Sequence, residues 1–237
     1  MIAVTASATE ANWNRWLGWM EAQPQNTAGN CTNEYFPNIP NIGPVKAYQQ
    51  LYERNRHHSH IAFLHDDLEI LEPWTDVERE FADPKLAIIG FGGATGLGLK
   101  DIYKIPYDIW QLQRTDYFSN QTDWSTHGTL ETGAKDVAVV DGFAMVVRTQ
   151  FLDDIGGWSG FPFNFHCYDL YLCLMAKRLG WKVRMVGVRC THHGGGTSTS
   201  AEYQELLTRM GKTAAEDHQE PHVWIYESFR DELPVRV

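Results

Sequence analysis

Residues 58–71 of this chain read HSHIAFLHDDLEIL. The apolar run IAFL is typical of a buried strand, and it ends directly at His65, Asp66 and Asp67. Two neighbouring carboxylates repel each other and resist desolvation, so a fold tolerates them most easily at a solvent-facing strand end or around a cation. The segment therefore predicts a buried strand followed by either a polar turn or a metal site.

Helical and strand patterns alternate on both sides of this segment. A strand pattern at residues 2–7 precedes a helical pattern at 10–21, and a second helical pattern, PVKAYQQLYERNR, leads into IAFL. The intervening residues 22–44 are rich in Asn, Pro and Gly and predict a loop. After the HDD motif, the helical pattern EPWTDVEREFAD and the strand pattern LAIIG predict another helix followed by another strand. This order predicts parallel strands joined by helices, with ligands at the carboxyl ends of the strands.

The middle of the chain contains a long segment without clear elements. Residues 91–135 show no period, so we predict a long loop there. Beyond it, the strand patterns VAVV and FAMVV flank Asp141 and Gly142. A turn explains these two residues as well as contact with an acceptor substrate does. An apolar helical pattern in FHCYDLYLCLMAKRLG places Asp169 near its start and ends at Gly180. An aspartate there commonly caps the helix, and that is the alternative to a catalytic role.

A pair of histidines follows the last predicted strand. The strand pattern WKVRMVGVRC runs into THHGGG, which carries His192 and His193. Neighbouring side chains of an extended chain point to opposite faces, so we expect only one of the two imidazoles to reach any metal site. The glycines that follow leave the backbone free to approach a phosphate.

Composition excludes several classes of protein. The chain has 237 residues and a formal net charge of -10, which disfavours a sequence-independent grip on nucleic acid or on an anionic membrane. No window reaches the ~18 apolar residues that a membrane span needs, and the N-terminus lacks a signal-peptide pattern. We therefore expect a cytoplasmic protein. The four cysteines include no CxxC pair and are expected to be reduced thiols: Cys31, Cys167, Cys173 and Cys190.

Four motifs in this order resemble one known family. FLHDDLEI, VDGFAMVVR, FHCYDLYLCLMAKRLGWKV and THHGGGTS together are similar to the GT-A-fold glycosyltransferases, in the family-two-like group whose HxD metal motif begins with histidine. The resemblance implies an α/β fold of the GT-A, Rossmann-like type, with a mixed, mainly parallel sheet flanked by helices. It implies a glycosyltransferase domain over residues 1–200, and we expect residues 201–237 to form a helical or extended tail packed on that domain.

The resemblance also implies a metal site. A nucleotide sugar has a diphosphate leaving group, and a divalent cation neutralises the charge that develops on it. By resemblance Asp67 is the carboxylate nearest the metal, His65 flanks it, and Asp66 faces the nucleotide. Either His192 or His193 closes the site from the distant strand. Such a set of oxygen and imidazole ligands suits Mn²⁺ better than Ca²⁺, and Mg²⁺ with retained waters is also allowed.

The resemblance also assigns a catalytic base and residues that bind the nucleotide. It makes Asp169 the general base that accepts the proton of the acceptor hydroxyl, with inversion at the sugar. It places the nucleotide beside the loop TASATE, which holds Thr5 and Ser7, and near Lys46. Ordinary strand-end and helix-start chemistry explains those three residues equally well. Where the family often has a second acid, this chain has Tyr171, which puts in question the acceptor contacts more than the base.

Two other classes of function remain open at this stage. The HDD and HH motifs would also serve a metal-dependent hydrolase or nucleotidyltransferase that activates water. A catalytically inactive protein that binds nucleotide sugars or glycans on the same scaffold is the other alternative. Trp110, Trp124 and Trp158 are candidates for sugar stacking, although core or loop packing explains them better. The expected partners are a nucleotide sugar and a glycan or another hydroxyl acceptor.

Overall fold

The structure is a computed structural model that describes residues 1–7, 9–22, 32–38, 40–103, 109–122, 128–194 and 200–237. In chain order the elements are β1 (Ile2–Ser7), α1 (Glu10–Ala22), β2 (Thr32–Pro37), α2 (Pro44–Asn55), β3 (His60–Leu64), β4 (Leu68–Ile70), α3 (Thr75–Glu80), β5 (Leu86–Gly90), β6 (Gly92–Tyr103), β7 (Ile109–Ser119), β8 (Thr129–Leu130), β9 (Ala134–Asp136), β10 (Val139–Val140), β11 (Ala144–Arg148), α4 (Thr149–Ile155), α5 (Tyr168–Arg178), β12 (Lys182–Val186), β13 (Cys190–His192), α6 (Ala201–Met210), α7 (Ala214–Ser228) and β14 (Val235–Arg236).

A mixed sheet of seven strands forms the centre of the molecule, in the order β2-β1-β3-β11-β5-β12-β9. Strands β2, β1, β3, β5 and β12 run in one direction, and β11 and β9 oppose them. The predicted mixed, mainly parallel α/β sheet is thus confirmed. Strands β3 and β5 are parallel as expected, but they are not neighbours, because β11 lies between them and pairs with both.

Both faces of this sheet are covered, which explains the apolar strand patterns. Along β3, Ile61 and Phe63 belong to one core cluster and Ala62 and Leu64 to the other, and all four are fully buried. The first cluster includes side chains of α2, α4 and α5, and the second includes side chains of α1 and α3. A strand that is buried on both faces must place its polar residues at its ends, and β3 ends at His65.

Two predicted loops contain strands. Residues 32–37 form β2, which pairs in parallel with β1 at the edge of the sheet, so the prediction of a loop over residues 22–44 is wrong there. The sequence TNEYFP is polar because an edge strand is only partly buried. In the segment 91–135, strands β6 and β7 pair antiparallel in a second sheet with β10, β8 and β14.

The C-terminal residues join this second sheet. Strand β14 pairs with β6, and the backbone N–H of Leu112 in β7 donates to His222 of α7. Cys167 and Cys173 are buried free thiols, Cys190 is also buried, and Cys31 lies outside the described residues. No helix in the described ranges is long and apolar enough to cross a membrane. The division of the chain after residue 200 stays a prediction.

Candidate metal and catalytic site

The HDD motif lies where β3 leaves the sheet. The backbone N–H of His65 donates to Phe143 O at 2.9 Å, which extends the pairing of β3 with β11 by one residue. The chain then turns and forms β4, whose Leu68 pairs with His192 of β13. This short two-stranded sheet carries His192 to the HDD motif, although 127 positions separate His65 and His192 along the chain.

Three side chains converge at this strand end and could hold one cation. His65 Nδ1 lies 3.3 Å from His192 Nε2, and Asp67 Oδ1 lies 3.2 Å from His192 Nε2 and 3.8 Å from His65 Nδ1. Bonds from a divalent metal to such ligands are about 2.1 Å long, so two ligands of one ion lie within about 4.2 Å of each other. All three separations satisfy this limit. The group comprising His65, Asp67 and His192 is named the His-Asp-His group below.

The electrostatics of this group suit a cation. Asp67 Oδ1 is buried and accepts no hydrogen bond of good geometry from a described residue, in spite of the nearby imidazoles. Burial raises the pKa of Asp67, but the contact with His192 and the charge of His65 outweigh it and lower the pKa to about 2. Burial lowers the pKa of His65, so its imidazole is neutral at pH 7 and keeps a lone pair. A buried carboxylate oxygen beside a neutral imidazole is a donor set for a divalent ion.

His193 lies outside this group. Its Nε2 is 3.1 Å from Glu69 Oε2, and its ring stacks on Trp19 at a centroid distance of 5.0 Å. His192 instead stacks on Phe143, also at 5.0 Å. The alternation of an extended chain therefore sends the two neighbouring imidazoles to different surroundings. The backbone N–H of His193 donates to Asp67 O at 2.9 Å, but its imidazole pairs with Glu69 and not with the Asp67 carboxylate.

The residues predicted to meet the nucleotide lie at the ends of β1 and β3. Ser7 Oγ donates to Asp66 Oδ2 at 2.5 Å and so joins the two strand ends. Thr5 is fully buried, and its Oγ1 has no hydrogen-bond partner among the described residues. Lys46 is exposed in the first turn of α2, and within the described ranges no hydrogen bond or ion pair connects it to Asp66.

An aromatic pair beside Asp66 was missed in the sequence. The rings of Trp13 and Tyr35 stack with their centroids 4.4 Å apart, and both side chains are partly exposed. Tyr35 pairs in register with Thr5 of β1, and partial burial together with the charges of Glu10 and Asp66 raises its pKa. Tyr35 could not be assigned from the sequence because strand β2 was predicted as loop.

The three tryptophans considered for sugar stacking have different positions. Trp158 is 2% exposed and packs against Phe63 in the core. Trp110 is partly exposed and makes an edge contact with Tyr226 of α7. Trp124 lies outside the described residues. Core packing thus explains Trp158, as the sequence indicated.

Asp169 is the second residue of α5, and its carboxylate makes more contacts than a cap would. The residue before the helix, Cys167, has a positive φ of 62° and provides no side-chain cap. Asp169 Oδ1 accepts from the N–H of Leu170 at 2.8 Å, and Oδ2 accepts from the N–H of Gly142 at 3.2 Å. Oδ2 also accepts from Arg114 Nη2 at 2.8 Å. A carboxylate with these non-local partners does more than complement a helix dipole.

Arg114 connects Asp169 to a second carboxylate. Its Nη1 donates to Asp141 Oδ2 at 3.1 Å, so one guanidinium from β7 bridges Asp141 and Asp169. Burial raises the pKa of Asp169; Arg114 lowers it and Asp141 raises it, and the net direction is upward. Burial also opposes ionisation of Asp141, but Arg114, His192 and His65 lower its pKa below the usual value. Asp141 is therefore close to both the His-Asp-His group and the base candidate.

Comparisons with known proteins identify the family and the fold of the chain. The sequence model of a family described as "Glycosyltransferase like family 2" matches residues 30–213. Among solved structures, GalNAc-T7 with UDP, GalNAc and Mn²⁺ is similar over 98% of this chain and 51% of its own, with 11% identity and a TM-score of 0.55. The protein A197 from STIV is similar over 82% of this chain and 85% of its own, with 11% identity and a TM-score of 0.47. No curated protein sequence matches the chain.

The likeness to GalNAc-T7 shows the fold. The chain spans about half the length of that protein, and at 11% identity only the architecture is shared. The GT-A fold class predicted from the four motifs is thereby confirmed, and the match to residues 30–213 includes the HDD motif, Asp169 and His192.

Proposed function

Because this chain belongs to the glycosyltransferase-like family 2, we propose that it transfers a hexose from a nucleotide sugar to a hydroxyl acceptor, with a divalent cation and with inversion at the anomeric carbon. One observation carries this proposal. The backbone N–H of Gly142 donates to Asp169, and the carbonyl of the same residue accepts from Tyr168, whose hydroxyl contacts His65. Gly142 and Tyr168 therefore connect the candidate base to the candidate metal site by hydrogen bonds.

The donor would bind at the ends of β1 and β3. The pair formed by Ser7 and Asp66 offers oxygens for hydroxyl groups of a ribose, and the aromatic surface of Trp13 and Tyr35 offers a face for a nucleoside base. His65, Asp67 and His192 would hold the cation. A bound divalent ion neutralises negative charge on the diphosphate leaving group.

Asp169 would accept the proton of the attacking hydroxyl. An ionised carboxylate accepts at about four lone-pair sites. In the described part of the chain Oδ2 accepts two hydrogen bonds and Oδ1 accepts one, so Oδ1 retains a site for the acceptor hydroxyl. The raised pKa of Asp169 makes it a better proton acceptor than an exposed aspartate.

The proposed reaction is a single displacement. The acceptor oxygen forms a bond to the anomeric carbon while the bond from that carbon to the diphosphate oxygen breaks, and the hydroxyl proton passes to Asp169. The leaving group departs as a nucleoside diphosphate with both bonding electrons. One displacement from the opposite side inverts the anomeric configuration, and Asp169 needs no second carboxylate for this chemistry.

The cation we propose is Mn²⁺. Two imidazoles and one carboxylate form a mixed nitrogen and oxygen set, which suits Mn²⁺ better than Ca²⁺ and is less typical of Mg²⁺. The structure of GalNAc-T7, which has a similar fold, contains Mn²⁺ together with UDP and GalNAc.

Release of nucleoside diphosphate tests the proposed function. The protein is incubated with a panel of nucleotide sugars that includes UDP-GalNAc, with and without Mn²⁺ and a panel of sugar acceptors. We expect release that requires Mn²⁺ and increases with one acceptor class, and a product whose anomeric proton shows the inverted configuration by NMR. Release that is unaffected by every acceptor would favour a hydrolase, and donor binding without release would favour an inactive binding protein.

A further inference from the structure

The hydroxyl group of Tyr168 lies between a metal-site histidine and a backbone carbonyl. Its Oη is 2.7 Å from His65 Nε2 and 3.2 Å from Gly142 O. The side chain is 7% exposed, and its ring makes an edge contact with Tyr48 that holds it in place. Tyr168 immediately precedes Asp169, and its sequence context predicts no role for it.

Both contacts are hydrogen bonds at the same time in only one arrangement of the protons. A phenol has one proton to donate, and a carbonyl oxygen can only accept. If Tyr168 donates to Gly142 O, its oxygen accepts a hydrogen bond from His65 Nε2, which then carries the imidazole proton. A neutral imidazole carries one proton, so Nδ1 of His65 then has a free lone pair. Nδ1 is the atom that faces His192 Nε2 and Asp67 Oδ1 in the His-Asp-His group.

We propose that Tyr168 is a positioning residue that keeps the proton of His65 on Nε2 and so presents Nδ1 of His65, unprotonated, to the cation. This inference rests on the proposed metal site and adds to it a residue that contacts one of the proposed ligands, His65. Partners of this kind fix the tautomer and ring orientation of metal-binding histidines.

The same tyrosine connects the two halves of the site. Gly142 accepts from Tyr168 through its carbonyl and donates to Asp169 Oδ2 through its N–H. A Cβ atom at position 142 would lie 2.5 Å from Tyr168 Oη, so only glycine leaves room for the hydroxyl. Gly142→Ala should therefore displace Tyr168 and reproduce the loss of its hydroxyl by an independent route.

Tyr171 provides a matched control on the same helix. It is 4% exposed, its ring stacks on Phe161, and no described contact joins its hydroxyl to the His-Asp-His group. Tyr171→Phe removes the same atom as Tyr168→Phe, from a buried ring of α5, without changing the surroundings of His65.

The first test is the tautomer of His65 in the metal-free protein, read by long-range ¹H–¹⁵N NMR at a pH where the ring is neutral. The His65→Ala spectrum identifies the signal. We expect the Nε2–H form in the parent protein and in Tyr171→Phe, and a mixture with the Nδ1–H form in Tyr168→Phe. An Nδ1–H form in the parent, or an unchanged Nε2–H form in Tyr168→Phe, would overturn the inference.

The second test is a titration with Mn²⁺ alone, in which EPR measures the concentration of the free ion. Tyr168→Phe and Gly142→Ala should raise the half-saturating Mn²⁺ concentration by roughly 10- to 100-fold, and Tyr171→Phe should not. Asp67→Ala distinguishes a failure of the proposed metal site from a failure of the proposed role of Tyr168. Parental binding in Asp67→Ala would refute the metal site itself, whereas lost binding there with parental binding in Tyr168→Phe would refute only the role of Tyr168.

Discussion

Arg114 Nη2 lies 2.8 Å from Asp169 Oδ2, so an arginine of β7 holds the carboxylate that we propose as the base. The same guanidinium donates to Asp141. Arg114 is 31% exposed and remains paired with Asp141 when Asp169 is replaced. The loss of Asp169 therefore does not leave the guanidinium buried without a carboxylate. The catalytic and structural contributions of Asp169 can therefore be separated by mutation.

Asp169→Asn should remove most sugar transfer while the protein stays folded. Asparagine keeps an oxygen that accepts from backbone N–H groups, but it takes up no proton at neutral pH. Loss of a general base costs about 10²- to 10⁴-fold in kcat. The weaker contact with Arg114 should cost about 1–3 kcal/mol of unfolding free energy. Acceptor-dependent transfer and urea unfolding are measured on the same preparation.

Asp141→Asn is the matched control for this substitution. It makes the same chemical change in the other carboxylate that Arg114 contacts, and it should retain most of the transfer rate. If Asp169→Asn transferred sugar at the parental rate while it bound donor normally, Asp169 would be a structural residue and another group would be the base.

The pH dependence of transfer should reveal the coupling between the two carboxylates. A general base acts in its ionised form, so the rate rises as the pH rises through the pKa of Asp169. Asp141 raises that pKa, and Arg114 lowers it. In Asp141→Asn the like charge is gone and Arg114 pairs with Asp169 alone, so the acidic limb of kcat should move to lower pH. Profiles at saturating Mn²⁺ and donor check this; an unmoved limb would show that it does not report Asp169.

The sequence predicted those elements whose residues face a core on both sides. The strand IAFL and the strand LAIIG are buried throughout, and the helix that begins at Tyr168 ends near Gly180, which has a positive φ of 75°. Strand β2 was missed because an edge strand with one partly exposed face carries polar residues. The pairing of the consecutive strands β6 and β7 was missed because β6 is rich in glycine and the register shifts between Leu97 and Lys100.

The acids and imidazoles of the candidate site could be identified from the sequence, whereas the side chains that contact them could not. The HDD motif and the HH motif stand out because each places adjacent ionisable side chains directly after a strand pattern. Arg114, Tyr35 and Tyr168 act only through contacts made by distant parts of the chain, and their local sequences contain no signal for those contacts. The roles of Thr5, Ser7, Lys46 and Asp66 in binding the donor stay predictions, as do the role of Asp169 as base and the binding of a metal by His65, Asp67, His192 and His193.

Trp13→Ala should weaken nucleotide binding. Stacking of a base on an aromatic side chain contributes about 1–3 kcal/mol, which corresponds to about 5- to 150-fold in affinity. Trp13 stacks on Tyr35 near Asp66, whereas Trp19 of the same helix stacks on His193. Trp19→Ala is therefore the control and should bind as the parent does. Calorimetry with UDP, GDP and ADP in the presence of Mn²⁺ measures both; equal losses in the two variants would place the base elsewhere.

His192→Ala and His193→Ala should differ sharply in Mn²⁺ affinity. His192 Nε2 lies 3.2 Å from Asp67 Oδ1, so its loss removes a ligand and should weaken binding by more than the roughly 100-fold that loss of an outer partner costs. His193 contacts Glu69 in an exposed pair, which contributes only about 0–1 kcal/mol to folding and nothing to the His-Asp-His group. His193→Ala should therefore keep parental affinity in the same EPR titration. Parental affinity in His192→Ala as well would show that Mn²⁺ binds outside the His-Asp-His group, and comparable losses in both would show that the loop after β13 matters more than either imidazole.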